Sequence, residues 1–312
     1  MIRIGIDVGG TGIKIGVVDE NGHILASEAI PTRIDLPFSE QITQMADCAK
    51  RVLAESGFTI DDVQSIGAGV PGVADKNGVV IFCNNLAWVN VPFRTEFQKH
   101  ILKPIYIDND ATVAGLAESV AGVSAGTSSS VFVTLGTGVG AGIVIGGKVW
   151  SGAHGIGSEI GHITMMLDGE PCNCGNRGCL ERYCSATAII RMARVAVAEH
   201  PESLILSMAE GDPAKINARI VIDAARVEDP VAVQVYQKYI SYLAQAVNSI
   251  INFLDPEIIV IGGGVSKAGD FLLTPLRQEV PKYAMYKSVP SARIEMARLG
   301  ADAGIIGAAM LG

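Results

Sequence analysis

No apolar run in this 312-residue chain approaches the roughly 20 residues that a membrane-spanning helix needs, so no span is expected. The amino terminus, MIRIGIDVGG, lacks the charged-then-apolar pattern of a secretory signal. A basic surface is missing too. The 24 Lys and Arg residues are outnumbered by 32 Asp and Glu, for a net charge of −8, and no basic stripe occurs. That disfavours nucleic acid and anionic membrane as partners. Cysteines are few, six in all, and four of them fall within residues 172–184. Without a secretory signal they fit a reducing cytoplasm better than a disulfide framework. A P-loop, Gly-x4-Gly-Lys-Ser/Thr, is absent, so a nucleotide would have to be held by other means.

Hydrophobic residues make up 49% of the chain and recur in short blocks, which argues against disorder. The length suffices for two modest domains, each with its own core. Alternating apolar runs and turns predict strands at 2–8, 13–19 and 23–30. Residues 38–56 carry Ile42, Met45, Ala46, Ala49, Val52 and Leu53 at helical spacing and stop at Gly57. Further strands are expected at 65–70 and 104–107, and helices at 93–101 and 111–120. The plan then repeats, with a strand at 130–135, a glycine turn at 136–140, and strands at 141–145 and 148–151. The stretches DVGGTGIKIGVVDENG and TLGTGVGAGIVIGGK share this order, at a separation too long for a solenoid period. Two related half-folds facing one another across a cleft are the expectation. The remainder reads as mainly helical, at 186–199, 216–226, 231–254 and 302–311, with one buried strand at 257–261.

Between Gly161 and Glu181 the chain reads GHITMMLDGEPCNCGNRGCLE, which places His162, Cys172, Cys174 and Cys179 in one short loop. Thiolate and imidazole are the ligands that tetrahedral zinc prefers, and four of them leave no position for water. The interleaved Gly175, Gly178, Asn173 and Asn176 let the backbone turn tightly enough for the sulfurs to converge. Disulfides or buried free thiols are the alternative, and Cys184 competes with His162 as fourth ligand. Zinc is the expectation, because cysteines this dense in a cytosolic-looking chain usually bind metal.

Each glycine turn sits between strands, so its N–H groups can face a phosphate while the missing side chains permit close approach. Asp7, at the end of the first strand, is placed to hold Mg2+, directly or through water. Thr11 offers a hydroxyl nearby and Lys14 a positive charge. Residues 136–141, GTGVGA, match a loose dinucleotide pattern, but that motif must open a helix, and Ile143-Val144-Ile145 reads as a strand. A dehydrogenase is therefore disfavoured. Asp108-Asn109-Asp110 follows a strand and starts a helix. One of the three is expected to cap that helix, and a carboxylate at the end of a strand can also serve as a general base.

The segments DVGGTGIK (7–14), GVPG (69–72), NDATVAGLAE (109–118), LGTGVGAGIVIGG (135–147), GSEIGH (157–162), CNCGNRGCLE (172–181) and GGGVS (262–266) carry a specific resemblance. In order, and over essentially the whole chain, they resemble the ROK family of sugar kinases and repressors, a branch of the actin-like, ribonuclease-H-like ATPases. Within it the likeness is greatest to bacterial glucokinases. The resemblance implies a two-domain α/β fold with a cleft between the domains and a zinc-binding loop. Residues 1–115 with 300–312 would form the smaller domain and 116–299 the larger. It implies ATP-dependent phosphorylation of a hexose at the 6-hydroxyl, glucose first, with Mg2+ at the phosphates and zinc in a structural role.

By the same resemblance, Asp110 is the catalytic base, and Asn109, Glu159, His162 and Glu181 bond the sugar hydroxyls. Gly69, Pro71, Gly72 and Asn85 lie alongside that sugar. Asp7, Gly9, Gly10, Thr11 and Lys14 form the first phosphate turn, Thr137 and Gly138 the second, and Gly262, Gly263 and Gly264 a loop beside adenosine. His162, Cys172, Cys174 and Cys179 are the zinc ligands. A cytoplasmic homodimer or tetramer is implied as well. Thr112 stands where many relatives have Asn, and Asn84 and Ala87 replace prolines, which leaves the contacts of the one and the shape of that loop open. Kinases of N-acetylhexosamines or other hexoses are the alternative to a glucokinase. The family's repressors carry a helix-turn-helix ahead of the first phosphate strand, which here starts at Ile2, so an enzyme is expected.

Overall fold

The alternating apolar runs at the amino terminus form three antiparallel strands, β1 (Ile2–Val8), β2 (Gly12–Asp19) and β3 (Ile24–Pro31). The structure is a computed structural model that describes residues 1–83 and 85–312, so the reading made for Asn84 lies outside the described residues. Helix α1 (Phe38–Glu55) buries the apolar stripe read from its spacing. After it come β4 (Val63–Val70) and three short strands, β5 (Val73–Ala74), β6 (Val80–Cys83) and β7 (Trp88–Val91). Then follow α2 (Phe93–Gln98), β8 (Ile105–Asn109) and α3 (Asp110–Val120). The repeat of the plan appears as β9 (Ser129–Leu135), β10 (Val139–Ile145) and β11 (Lys148–Val149).

The helical remainder comprises α4 (Glu181–Cys184), α5 (Ala186–Glu199), α6 (Leu204–Met208), α7 (Ala218–Arg226) and α8 (Pro230–Leu254). Asp229 caps α8 and Pro230 opens it, and the helix closes on Asp255 in the left-handed region, ahead of Pro256. The chain ends with β12 (Ile258–Gly262), α9 (Asp270–Glu279), β13 (Arg293–Met296) and α10 (Ala303–Ala309). Two five-stranded sheets result, in orders β3-β2-β1-β4-β8 and β11-β10-β9-β12-β13, with a three-stranded sheet β5-β6-β7. The expectations missed the small sheet, whose strands are too short for a period to register. They also missed α9, whose Pro275 interrupts its helical pattern, and the four-residue β13. Among the described residues no helix is long and apolar enough to cross a membrane.

The chain divides into two compact units, one of 1–132, 142–158 and 297–312, the other of 133–141 and 159–296. This differs from the expected division into 1–115 with 300–312 and 116–299, and side-chain bonding explains the difference. The fully buried Glu118 accepts N–H groups from Val123, Arg298 and Leu299 at 2.7–2.9 Å, which ties residues 118–123 and 298–299 to α3. Ser151 donates to Asp108 at 2.7 Å, and the hydroxyls of Thr112 and Ser158 lie 3.2 Å apart, which brings 151–158 into the first unit.

Within that unit the last helix lies at backbone distance from the first sheet. A Cβ on Gly5 would stand 2.0 Å from the Ile305 carbonyl oxygen, one on Gly67 1.7 Å from that of Ala308, and one on Gly307 1.8 Å from that of Val113. Only hydrogen fits at these three positions, so β1, β4 and α3 each need glycine on one side of their contact with α10. In the second unit Tyr239 of α8 is fully buried, and its hydroxyl donates to the Cys184 carbonyl at 2.8 Å, fixing α4 against α8. Gly67→Ala is expected to lower unfolding free energy by about 2–4 kcal/mol through that overlap. Gly136→Ala, whose Cβ would meet nothing within 4 Å, should stay within about 0.5 kcal/mol of the parent. Denaturant midpoints compare the two.

Candidate active site and metal centre

In the first unit the turn after β1 closes through the Gly9 N–H, which donates to the Gly12 carbonyl at 3.0 Å. Thr32, just after β3, braces it, donating its hydroxyl to the Gly9 carbonyl at 2.6 Å and its N–H to that of Thr11 at 3.2 Å. Gly10 and Thr11 are exposed at the tip, as an anion-binding turn requires, and a Cβ on Gly10 would stand 3.6 Å from Cβ of Asn85. Burial pushes the Asp7 carboxyl above its usual range, and the nearby Lys14 offsets this only in part. A hard divalent cation is the partner that would favour the charged form, so the residue fits the expected Mg2+. Gly304 makes the room: a Cβ there would stand 2.4 Å from Cγ of Asp7. Lys14 also donates to the Ala301 carbonyl at 3.1 Å, so its ammonium braces the turn before α10.

The end of β4 runs into Gly69–Pro71–Gly72, where a Cβ on Gly72 would stand 2.2 Å from the Phe82 carbonyl oxygen. Neighbouring β8 ends in Asp108 and Asn109, paired with Gly69 and Val70. Capping falls to Asn109. Its Oδ1 accepts N–H groups from Ala111 and Thr112 at 2.9 and 3.4 Å, and its Nδ2 donates to the Gly72 carbonyl at 3.3 Å. Asp110 opens α3 with its side chain on the exposed face, and one carboxylate oxygen accepts the Ala111 N–H at 2.8 Å. The remaining residue of the cluster, Asp108, is turned inward. It accepts from Ser151 and from the Asn109 N–H at 2.7 and 2.8 Å, and burial raises its carboxyl above the usual range.

In the second unit the other glycine turn closes through Gly136 N–H to the Gly138 carbonyl at 3.0 Å. It is seated on the start of α5, where Ala186 N–H and the Thr187 hydroxyl donate to the carbonyls of Gly136 and Thr137 at 2.8 and 2.7 Å. Gly263, at φ +85°, lies against the end of β9, where a Cβ would stand 2.6 Å from Leu135 N. That brings the loop of Gly262, Gly263 and Gly264 to the strand that leads into Thr137 and Gly138. Glu181 also touches this turn, since a Cβ on Gly138 would stand 2.5 Å from its Oε2.

The thiol and imidazole groups converge as read. One ligand atom each from His162, Cys172, Cys174 and Cys179 lies within 4.8 Å of all the others. Cys174 Sγ and Cys179 Sγ are 3.5 Å apart, and Cys172 Sγ and His162 Nδ1 are 3.7 Å apart. Bonds of ~2.0–2.3 Å to a tetrahedral ion give edges of about 3.5–3.8 Å, so the set fits zinc. Gly178, at φ +72°, makes the fold of the loop possible, because a Cβ there would overlap the Met166 carbonyl oxygen. All six cysteines are unpaired, which removes the disulfide alternative, and the fully buried Cys184 is not among the converging groups. Burial pushes the Cys172 thiol up to about 12, while the Asn176 N–H holds Cys174 below the usual thiol range. Glu181 accepts from Cys172 at 3.1 Å, and Glu159 lies 4.0 Å from His162 Nε2, on the ring side away from the sulfurs. Both carboxylates therefore adjoin the metal loop. Ser151 and Gly304 carried no signal in the sequence, and Ser158 only its place in GSEIGH, because each matters through a partner far along the chain.

Residues 3–312 match the ROK family. The chain is 39% identical over 310 residues to a glucokinase of Halalkalibacterium halodurans, covering 99% of this chain and 94% of that one. It is 38% identical over 310 residues to a glucokinase of Thermotoga maritima, covering 99% and 96%. A crystal structure of a ROK family glucokinase from Streptomyces griseus in complex with glucose and AMPPNP superposes with a TM-score of 0.82 at 32% identity, covering 100% of this chain and 99% of that one. Agreement in sequence and in fold along the whole chain leads to one conclusion: the protein belongs to the ROK family and has its actin-like ATPase fold.

Proposed function

We propose that this protein is a hexose kinase that transfers the γ-phosphate of ATP to the 6-hydroxyl of glucose. The β8–α3 junction carries the reading. Asn109 takes over the capping of α3, and the adjacent Asp110 keeps an exposed carboxylate at the carboxyl end of a strand. A sugar alcohol is a poor nucleophile at neutral pH, and Asp110 accepts its proton as the bond to phosphorus forms. Asn109, Glu159, His162 and Glu181 orient the sugar, each carboxylate accepting from hydroxyl donors, with Gly69, Pro71, Gly72 and Asn85 alongside. The turns at 9–11 and 137–138 present N–H groups to the phosphates, with Lys14 beside the first and the 262–264 loop at the adenosine. Mg2+, held at Asp7, supplies charge neutralisation at the phosphates. These local groups outweigh a net charge of −8, because exposed charges are screened beyond ~8 Å.

Zinc, held by His162, Cys172, Cys174 and Cys179, stays outside the chemistry and stiffens the loop between Glu159 and Glu181. Because Nδ1 of His162 faces the thiols, Nε2 is left for a sugar hydroxyl. The glucokinase relatives support glucose over other hexoses and over N-acetylhexosamines. A cytoplasmic homodimer or tetramer belongs to the same reading, and six unpaired thiols suit that reducing compartment.

A coupled ADP-release assay over hexoses and N-acetylhexosamines should give glucose the highest kcat/KM, and a preference for an N-acetylhexosamine would overturn that choice. Asp110→Asn should retain sugar binding while kcat falls ~10²–10⁴-fold. A near-normal kcat would remove Asp110 from the role of base. Metal analysis should find one zinc per chain, lost in Cys174→Ser together with sugar affinity and kept in Cys184→Ser. Since burial raises Cys172 to about 12, zinc must displace its proton, so apparent zinc affinity should rise with pH. Competition with a chelator at pH 6 and pH 8 reads that sign, and a pH-independent affinity would count against thiolate ligation.

A further inference from the structure

We propose that Thr112 and Asp108 are positioning residues which, through Ser158 and Ser151, fix the path by which the backbone enters Glu159. The segment from Ser151 to Ser158 is closed on itself by one backbone bond, from the Gly157 N–H to the Ser151 carbonyl at 2.9 Å. It contains Gly152, Gly155 and Gly157, the first two at φ +75° and +78°, so its conformation is entropically expensive to hold. Packing does not hold it on one side either, because residues 151–155 border a cavity of about 350 Å³ shared with Asp75, Asn77 and Asp108. Two side-chain hydrogen bonds tie this closed segment to the β8–α3 junction. Ser151 donates to Oδ2 of Asp108 at 2.7 Å, and the Ser158 and Thr112 hydroxyls pair at 3.2 Å across 46 residues of chain.

Both anchors sit on the few residues that also carry Asn109 and Asp110. Asp108 precedes the cap, and Thr112 is the third residue of the helix that Asp110 opens. The Thr112–Ser158 pair is buried, at 1% and 8% exposure, so either hydroxyl left alone would be unsatisfied. At position 112 a short hydroxyl reaches another hydroxyl. Glu159 follows Ser158 directly. Fixing Ser158 on α3 therefore fixes the peptide from which Glu159 starts. The effect should be on sugar binding, not on the nucleotide.

This inference rests on the sugar-binding reading of Glu159, and the test separates the two. Thr112→Val and Ser158→Ala are each expected to raise the sugar KM about five- to tenfold, with the KM for ATP unchanged within about twofold. The double variant should be no worse than the poorer single variant, since both break one bond. Thr112→Ser, which keeps the hydroxyl, should restore the sugar KM, and Ser151→Ala should raise it independently. Melting temperatures accompany each measurement. If the sugar and ATP KM values rise together with a fall in Tm, or if the two single effects multiply, the role is structural and the proposal fails. If Glu159→Gln raises the sugar KM while the hydroxyl variants leave it unchanged, the proposal alone fails. If Glu159→Gln leaves the sugar KM unchanged, the role of Glu159 fails and this inference falls with it.

Discussion

The first unit depends on the contact of α10 with β1, β4 and α3 at backbone distance. Three glycines, Gly5, Gly67 and Gly307, remove every side chain from the places where the last helix crosses the first strands and α3. The unit's oldest and youngest stretches of chain thus share one core, and several site features follow from that contact. Gly304 stands at the start of α10 and leaves room for the Asp7 carboxylate. Lys14, on β2, reaches the Ala301 carbonyl in the turn just before it. Glu118 collects the N–H groups of Arg298 and Leu299 that lead the chain into that turn. The glycine turn after β1 is therefore built on a floor made by the far end of the sequence.

A second constraint operates at the β8–α3 junction, where three adjacent polar residues divide their duties. Asn109 satisfies the helix N–H groups, Asp108 turns inward to Ser151, and Asp110 keeps the exposed face. Asp110 also accepts the Ala111 N–H, through one carboxylate oxygen at 2.8 Å. In the second unit the metal loop divides its residues in the same spirit. Thiols and one ring nitrogen of His162 converge, while Glu159 lies toward the other nitrogen and Glu181 bridges Cys172 and Gly138. The Cys–His cluster thus has a carboxylate beside it at each end of a single loop.

Local pattern made much of this legible. Strand β1 and helix α5 follow their periodicity residue for residue, and the ends of α8 are written in Asp229-Pro230 and Pro256. The Cys–His cluster was legible for a similar reason, because four such side chains within 18 residues need only one tightly turning loop to meet. The fate of Asp108, Asn109 and Asp110 was not legible. All three can cap, and the choice rests on Ser151 and Gly72, residues that sequence spacing does not bring near.

Composition and short-range pattern by themselves determined the α/β character, the two glycine turns, the Cys–His loop and, through its motifs, the likeness to the ROK family. Each depends on residues close in the chain, where hydrophobic period, glycine and ligand spacing act directly. Three-dimensional packing alone decided which carboxylate is exposed, which cysteine is left out of the cluster, where one unit ends, and which hydroxyls hold the approach to Glu159. Those outcomes depend on pairs such as Thr112 with Ser158 and Gly67 with Ala308, whose partners meet only after the sheets have formed. Their energies are set by burial and contact distance, which no local pattern encodes.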